Sequence, residues 1–202
     1  MTTDLLSGFL SVASPRPVAR EVLHATDGGL SVWNYDSGMG ESRPDWTTTL
    51  RWMDAQGLHD LVFDGESGRL GWVEAVGTFA THDGPVYVLV SEDKLGATDY
   101  ATLVSAFRLV SNGGLRDARG FFPRGLPGVN EAGSAVAWEY VRRAGGDVFP
   151  RPIEARLDEN DGRIDVFLRT AFGSFDFALD LRGNALLAVG LVPTVLAPFV
   201  TR

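Results

Sequence analysis

From residue 153 to residue 181 the chain alternates between apolar and polar residues with a period of two. Ile153, Ala155 and Leu157 fall on one side, then Ile164, Val166 and Leu168, then Phe175, Phe177, Leu179 and Leu181. Glu154, Arg156, Asp165, Arg169, Asp176 and Asp180 fall on the other. Successive side chains of a strand point to opposite faces, so this pattern demands an antiparallel sheet with one dry face and one wet one. Turn residues at Glu159-Asn160-Asp161-Gly162, Ala171-Phe172-Gly173 and Arg182-Gly183-Asn184 join the runs into a four-strand meander ending in residues 185–192.

The first half mixes two periodicities. Asp27-Gly28-Gly29 is a turn signal, after which Leu30–Tyr35 alternates like a strand with Trp33 and Tyr35 opposite Leu30 and Val32. Trp46, Leu50 and Met53 recur at i, i+4 and i+7 behind Pro44-Asp45, which predicts a helix closed by Gly57. Leu61–Phe63, Leu70–Ala80 and Val86–Val90 read as strands, the last two joined by a hairpin turn at His82-Asp83-Gly84. A second helix is expected from Thr98-Asp99 to Asn112, on the stripe Tyr100, Leu103, Val104, Phe107 and Val110. A third is expected from Asn130, acting as N-cap, through Ala144. Residues 1–12 predict a short helix, and the apolar tail 193–202 a short helix or an extended edge. The fold class is therefore expected to be α+β, with helices packed on one face of antiparallel sheets. The chain reads as a single α+β domain over residues 1–202, or as two lobes, 1–114 and 130–202, joined by the loop 115–129.

With 202 residues, such a chain can bury roughly 70% of the surface it exposes when unfolded. It contains no cysteine, which excludes disulfides, thiolate–metal sites and thiol nucleophiles. Asp4 stands where a secretory signal would carry a basic residue, and no apolar run approaches the ~20 residues of a membrane span, so a cytoplasmic protein with no membrane partner is expected. The net charge of −8 argues against nucleic acid, whose phosphates demand a basic footprint. That charge is unevenly spread. Residues 1–112 carry 15 acids and 7 bases, whereas residues 113–152 carry 4 and 6.

No motif specifies a cofactor or metal. Asp158–Gly162 has the composition of a calcium loop, but Gly162 is fifth rather than sixth and Arg169 stands where the bidentate Glu belongs, so the segment reads as a hairpin turn. His24, His59 and His82 lie far apart and form no metal-binding pair. There is no GxSxG elbow, Gly133-Ser134 falls inside an expected helix, and Gly120, Gly125 and Gly128 form no phosphate loop.

The segment that stands out is Leu115–Gly125. It is basic within an acidic chain and places Phe121 and Phe122 among Arg116, Arg119 and Arg124, residue types enriched at binding hot spots. Either these five form a partner or ligand surface, or the phenylalanines tuck under the loop while the arginines pair with acids. The polar face of the meander, with Phe167 on it, is a second candidate surface.

The run Val86–Lys94, followed by Tyr100 and an expected amphipathic helix, resembles a strand–charged turn–helix unit of actinobacterial immunity factors paired with necrotizing-toxin-type NAD glycohydrolases; Leu30–Asn34 resembles an early strand of the same proteins. The resemblance covers about a third of the chain and implies a non-catalytic intracellular protein whose partner is a toxin domain, neutralised by occlusion of its active site. Two other readings stand beside it. One is a small-molecule enzyme or sensor in which Arg116, Arg119 or Arg124 grips an anion. The other is a secretion-chaperone-like assembly module.

Overall fold

A computed structural model describes residues 18–36, 46–64, 71–95, 98–111, 114–141, 153–170 and 173–190. Every regular element among them is a β-strand, and the strands form three successive antiparallel sheets. The first contains β1 (Val18–His24), β2 (Leu30–Asp36), β3 (Trp46–Asp54) and β4 (Gly57–Asp64), hydrogen-bonded in that order. The second contains β5 (Trp72–Thr81), β6 (Gly84–Lys94) and β7 (Asp99–Val110). Its far side is divided: β8 (Gly114–Asp117) pairs with Phe107–Val110, and β9 (Ala135–Val141) pairs with Asp99–Ser105. The third is the meander β10 (Ile153–Asp158), β11 (Arg163–Thr170), β12 (Gly173–Arg182) and β13 (Ala185–Val189).

The second sheet is the middle layer, as its side chains show. On β6, Val86, Val88 and Val90 join the cluster that holds Ile164, Val166, Leu168 and Leu179 of the third sheet. Tyr87 and Leu89, one residue out of phase, join the cluster that holds Leu30, Val32, Leu50 and Trp52 of the first. A strand covered on both faces carries a continuous apolar run, which is what Val86–Val90 is.

The α+β expectation is corrected here, because the three internal helices expected from the sequence are strands. Residues 46–54 put Thr48, Leu50 and Trp52 inward and Thr47, Thr49, Arg51 and Met53 outward, and the run of Thr47-Thr48-Thr49 between tryptophans suits a pleated surface. Gly57, expected to cap a helix, instead closes the β3–β4 hairpin at φ +125°, in a region only glycine enters freely. Strand β7 lies between β6 on one side and β8 and β9 on the other, with both faces covered; its near-continuous apolar run therefore also satisfies a helical period. Asn130 does cap backbone N–H groups, those of Ser134 and Ala135 at 2.9 and 3.3 Å, but in a turn leading to a strand. In that strand Val136, Trp138 and Tyr140 are buried while Ala137 and Glu139 are exposed. The expected helix at 1–12 and the tail at 193–202 lie outside the described residues.

Strand β5 is an edge of the middle sheet, and side chains from both other sheets occupy it. The Asn34 carboxamide donates to the Val73 carbonyl at 2.6 Å and accepts the Val73 N–H at 3.3 Å. Near the other end, Glu159 accepts the Thr78 N–H at 2.6 Å and the Thr26 hydroxyl at 2.5 Å. Glu159 sits in the β10–β11 turn and Thr26 in the β1–β2 turn, so one carboxylate links all three sheets.

Candidate functional site

The loop read as the candidate site divides into two environments. Phe121 and Phe122 are each only 1% exposed, set edge-on to one another at 5.5 Å, with Phe121 edge-on to Phe79 at 6.0 Å. Backbone bonds pin them: Phe122 N–H to Gly133 O, and Leu186 N–H of β13 to Phe121 O, at 2.8 and 2.7 Å. The pair is thus part of the core between the second and third sheets. Arg116, Arg119 and Arg124 are exposed, and Arg116 lies across the ladder from Arg108. The five residues do not meet on one surface. Arg108 itself grips the β5–β6 hairpin, donating to Gly84 O at 2.7 Å and to the Thr81 hydroxyl at 3.0 Å.

The three histidines serve separate local roles. His24 bonds Ser31 at 2.9 Å, His59 bonds Asp54 at 2.8 Å and stacks on Trp52, and His82 is exposed at a hairpin tip. Among the described residues no three His, Asp or Glu side chains are grouped as a metal site. Asp158–Gly162 is a hairpin turn, with Gly162 at φ +61° and the Asp161 N–H bonded to Asp158 Oδ1 at 3.2 Å. A buried carboxylate that the sequence does not flag is Glu92, which accepts the Tyr140 hydroxyl while Tyr140 stacks on Tyr100 at 6.0 Å.

On the outer face of the third sheet the charges satisfy one another. Arg156 pairs with Glu154 at 2.7 Å, and Arg163 pairs with Asp165 at 2.6 Å and with Asp180 at 3.9 Å. The Arg156 guanidinium covers the Phe167 ring at 4.9 Å. Leu187 and Val189 of β13, 52% and 46% exposed, stand in the same rows, beside Asp180 and Ala178.

The outer face of the first sheet is different. Five of the nine large exposed hydrophobics among the described residues belong to this sheet: Val22, Met53, Leu58, Leu61 and Val62. The register sets Val22, Trp33, Thr49 and Val62 abreast in one row, and His24, Ser31, Arg51 and Asp60 in the next. Met53 and Leu58, 74% and 57% exposed, stand opposite one another beyond them. Arg51 holds Asp60 with two bonds of 2.7 and 2.8 Å, while its guanidinium lies 5.3 Å from the Trp33 ring centre. The hydrogen bond from Arg51 and its charge hold the Asp60 carboxyl below its usual range. An aromatic ring, a bidentate charge pair and four exposed apolar side chains on one sheet face suit the centre of a protein–protein contact. The alternation of Trp33 and Tyr35 against Leu30 and Val32, and the short strand Leu61–Phe63, are its traces in the sequence; β3 is concealed there by the helical spacing of Trp46, Leu50 and Met53.

No family model, curated protein or solved structure matches this chain. Among the described residues no helix is long and apolar enough to cross a membrane.

Proposed function

We propose that this chain is a non-catalytic binding protein that docks a cationic protein through the outer face of its first sheet. The observation that carries the reading is the concentration of exposed Met53, Leu58, Val62 and Val22 around the Trp33–Arg51–Asp60 group. The charge distribution gives the partner its sign. Residues 1–112, which include this sheet, hold 15 acids against 7 bases, so a basic partner gains long-range attraction that speeds encounter and disfavours acidic competitors.

The specific form of this reading is an immunity protein that neutralises a toxin by covering its active site. The Val86–Lys94 and Leu30–Asn34 resemblance supports it, with one element changed: the segment after Tyr100 is strand β7 rather than a helix. The test is coexpression with a cationic toxin domain encoded beside this chain's gene. Protection of the cells, together with recovery of a stable complex, supports the reading. A neighbourhood without such a gene removes the immunity form, and a coexpressed toxin that stays free and lethal rejects it. The alternative of a small-molecule enzyme or sensor in which Arg116, Arg119 or Arg124 grips an anion has less behind it, since all three arginines are exposed.

A further inference from the structure

Unpaired strand edges invite other strands, and folded proteins block them with bulges, short strands or covering groups. Most edges here are blocked. β1 carries a register break between Ala19 and Glu21. β5 is broken between Val73 and Ala75 and covered by Asn34 and Glu159. The outer side of β9 receives the Asn130 N–H at Ala135 O, and its Ala137 N–H is bonded to Gly128 O. β13 has five residues, and its Leu186 N–H is held by Phe121 O. β8 has four residues. β10 has six, with Ile153 O accepting the Thr102 hydroxyl.

β4 is the exception. It runs eight residues without a register break, and among the described residues it pairs only with β3. The two-residue turn Ala55-Gln56 makes Asp54 and Gly57 the bonded closing pair. His59, Leu61 and Phe63 therefore turn their peptide groups to β3, and Leu58, Asp60 and Val62 turn theirs to the open side. The same rule applied to the β5–β6 hairpin directs the Thr78 N–H outward, where Glu159 meets it. β4 is also apolar on both faces: Leu58 and Val62 outside, and Leu61, 36% exposed, inside. It lacks the lysine or proline that protects a free edge.

We propose that β4 is a dimerisation edge, pairing antiparallel with β4 of a second copy about a two-fold axis through Leu61. That register sets Leu61 against Leu61, Asp60 against Val62 and His59 against Phe63. Like charges are never opposed, and the outward peptide groups of Asp60 and Val62 meet as a bonded pair. Shifting the axis to Asp60 would oppose two carboxylates, which is unfavourable across a ladder. Asp60 is already neutralised by Arg51 of its own chain, so the strand meets its copy with little local charge. The pairing fuses the two first sheets into one of eight strands and joins their outer faces.

The charge of −8 on each copy makes the salt dependence diagnostic. Screening removes repulsion between like bodies, so the dimer tightens as salt rises, whereas docking of a cationic protein loosens. The experiment is sedimentation velocity on the full chain alone, from roughly 1 to 200 µM at low and high salt, a range suited to a small interface of micromolar affinity. The inference requires a monomer–dimer equilibrium strengthened by salt. It also requires at least tenfold weakening in Val62→Lys and in Val62→Pro, which removes an N–H that β3 does not use. Amide exchange at Leu58, Asp60 and Val62 should slow as concentration rises. A strict monomer under all conditions overturns the inference, as does a dimer indifferent to both variants; neither result bears on the cationic partner, which is absent from the experiment.

Discussion

The side chain of Asn34 and the backbone of Val73 exchange two hydrogen bonds across the gap between the first two sheets. The carboxamide acts as one more peptide unit laid along the edge of β5, at the place where the β5–β6 register breaks. The Thr48 hydroxyl lies between Asn34 Oδ1 and Gly71 O, at 3.1 and 3.2 Å, and completes a buried polar group inside an otherwise apolar contact.

Because those Val73 groups are remote from water, replacing the carboxamide by an isosteric hydrocarbon leaves both without partners. Asn34→Leu is expected to lower unfolding stability by about 2–4 kcal/mol, and Asn34→Asp by at least as much, since a carboxylate cannot donate to the Val73 carbonyl. Urea unfolding monitored by tryptophan fluorescence checks this; a change below about 0.5 kcal/mol for Asn34→Leu would contradict it.

Glu159 acts through the oxygens it offers, not through its charge alone. Glu159→Gln keeps an acceptor for the Thr78 N–H and the Thr26 hydroxyl and should stay within about 0.5 kcal/mol of the native chain, whereas Glu159→Ala should lose about 1–2 kcal/mol. Equal losses in the two variants would show that charge, not bonding geometry, holds the three sheets together.

Acid should loosen the first sheet. Asp60 is held below its ordinary value of 3.8 by the hydrogen bond and charge of Arg51, and Asp54 by the hydrogen bond from His59. A carboxylate depressed on folding stabilises the folded state fully above its unfolded value and loses that contribution as the pH falls through the folded one. Stability should therefore decline below about pH 4, and the decline should be shallower in Asp60→Asn. Urea midpoints measured across the acid range give the comparison, and an identical slope in the variant would remove Asp60 from the explanation.

Alkali should find Tyr87 resistant. Burial and the 2.9 Å bond to Asp27 raise the Tyr87 phenol far above its ordinary value of 10.0. The unfolded chain then loses this proton before the folded one, so stability is intact below about pH 10 and falls above it. Absorbance titration of the native chain beside Tyr87→Phe should show that the variant lacks one phenol that ionises only with unfolding. Four tyrosines titrating together while the fold persists would contradict the assignment.

How much of this was legible before the structure depended on where water lies. The meander could be read from residue 153 onward because one face is dry and the other carries Arg156, Asp165 and Asp176, giving a clean period of two. Strand β7 could not, because its covered faces leave a nearly unbroken apolar run from which Tyr100, Leu103, Val104 and Phe107 also fall on a helical stripe. The β3–β4 hairpin was obscured by coincidence: Trp46, Leu50 and Met53 match a helical spacing, although they lie on both faces of the strand. For the loop 115–125 the sequence leaves two placements of the phenylalanines open, because neighbours in sequence need not share a surface; backbone bonds to Gly133 and Leu186 take the second and turn the rings into the core.

The outer face of the first sheet as a docking surface is tested most directly by calorimetric titration of the chain with the cationic protein encoded beside its gene, comparing the native sequence with Met53→Asp/Leu58→Asp. Both side chains are exposed, so the double variant should melt within a few degrees of the native protein. The account predicts saturable binding by the native chain, weakened by added salt, and a loss of about 100-fold or more in the double variant. Equal affinity of the two proteins for that partner would contradict it.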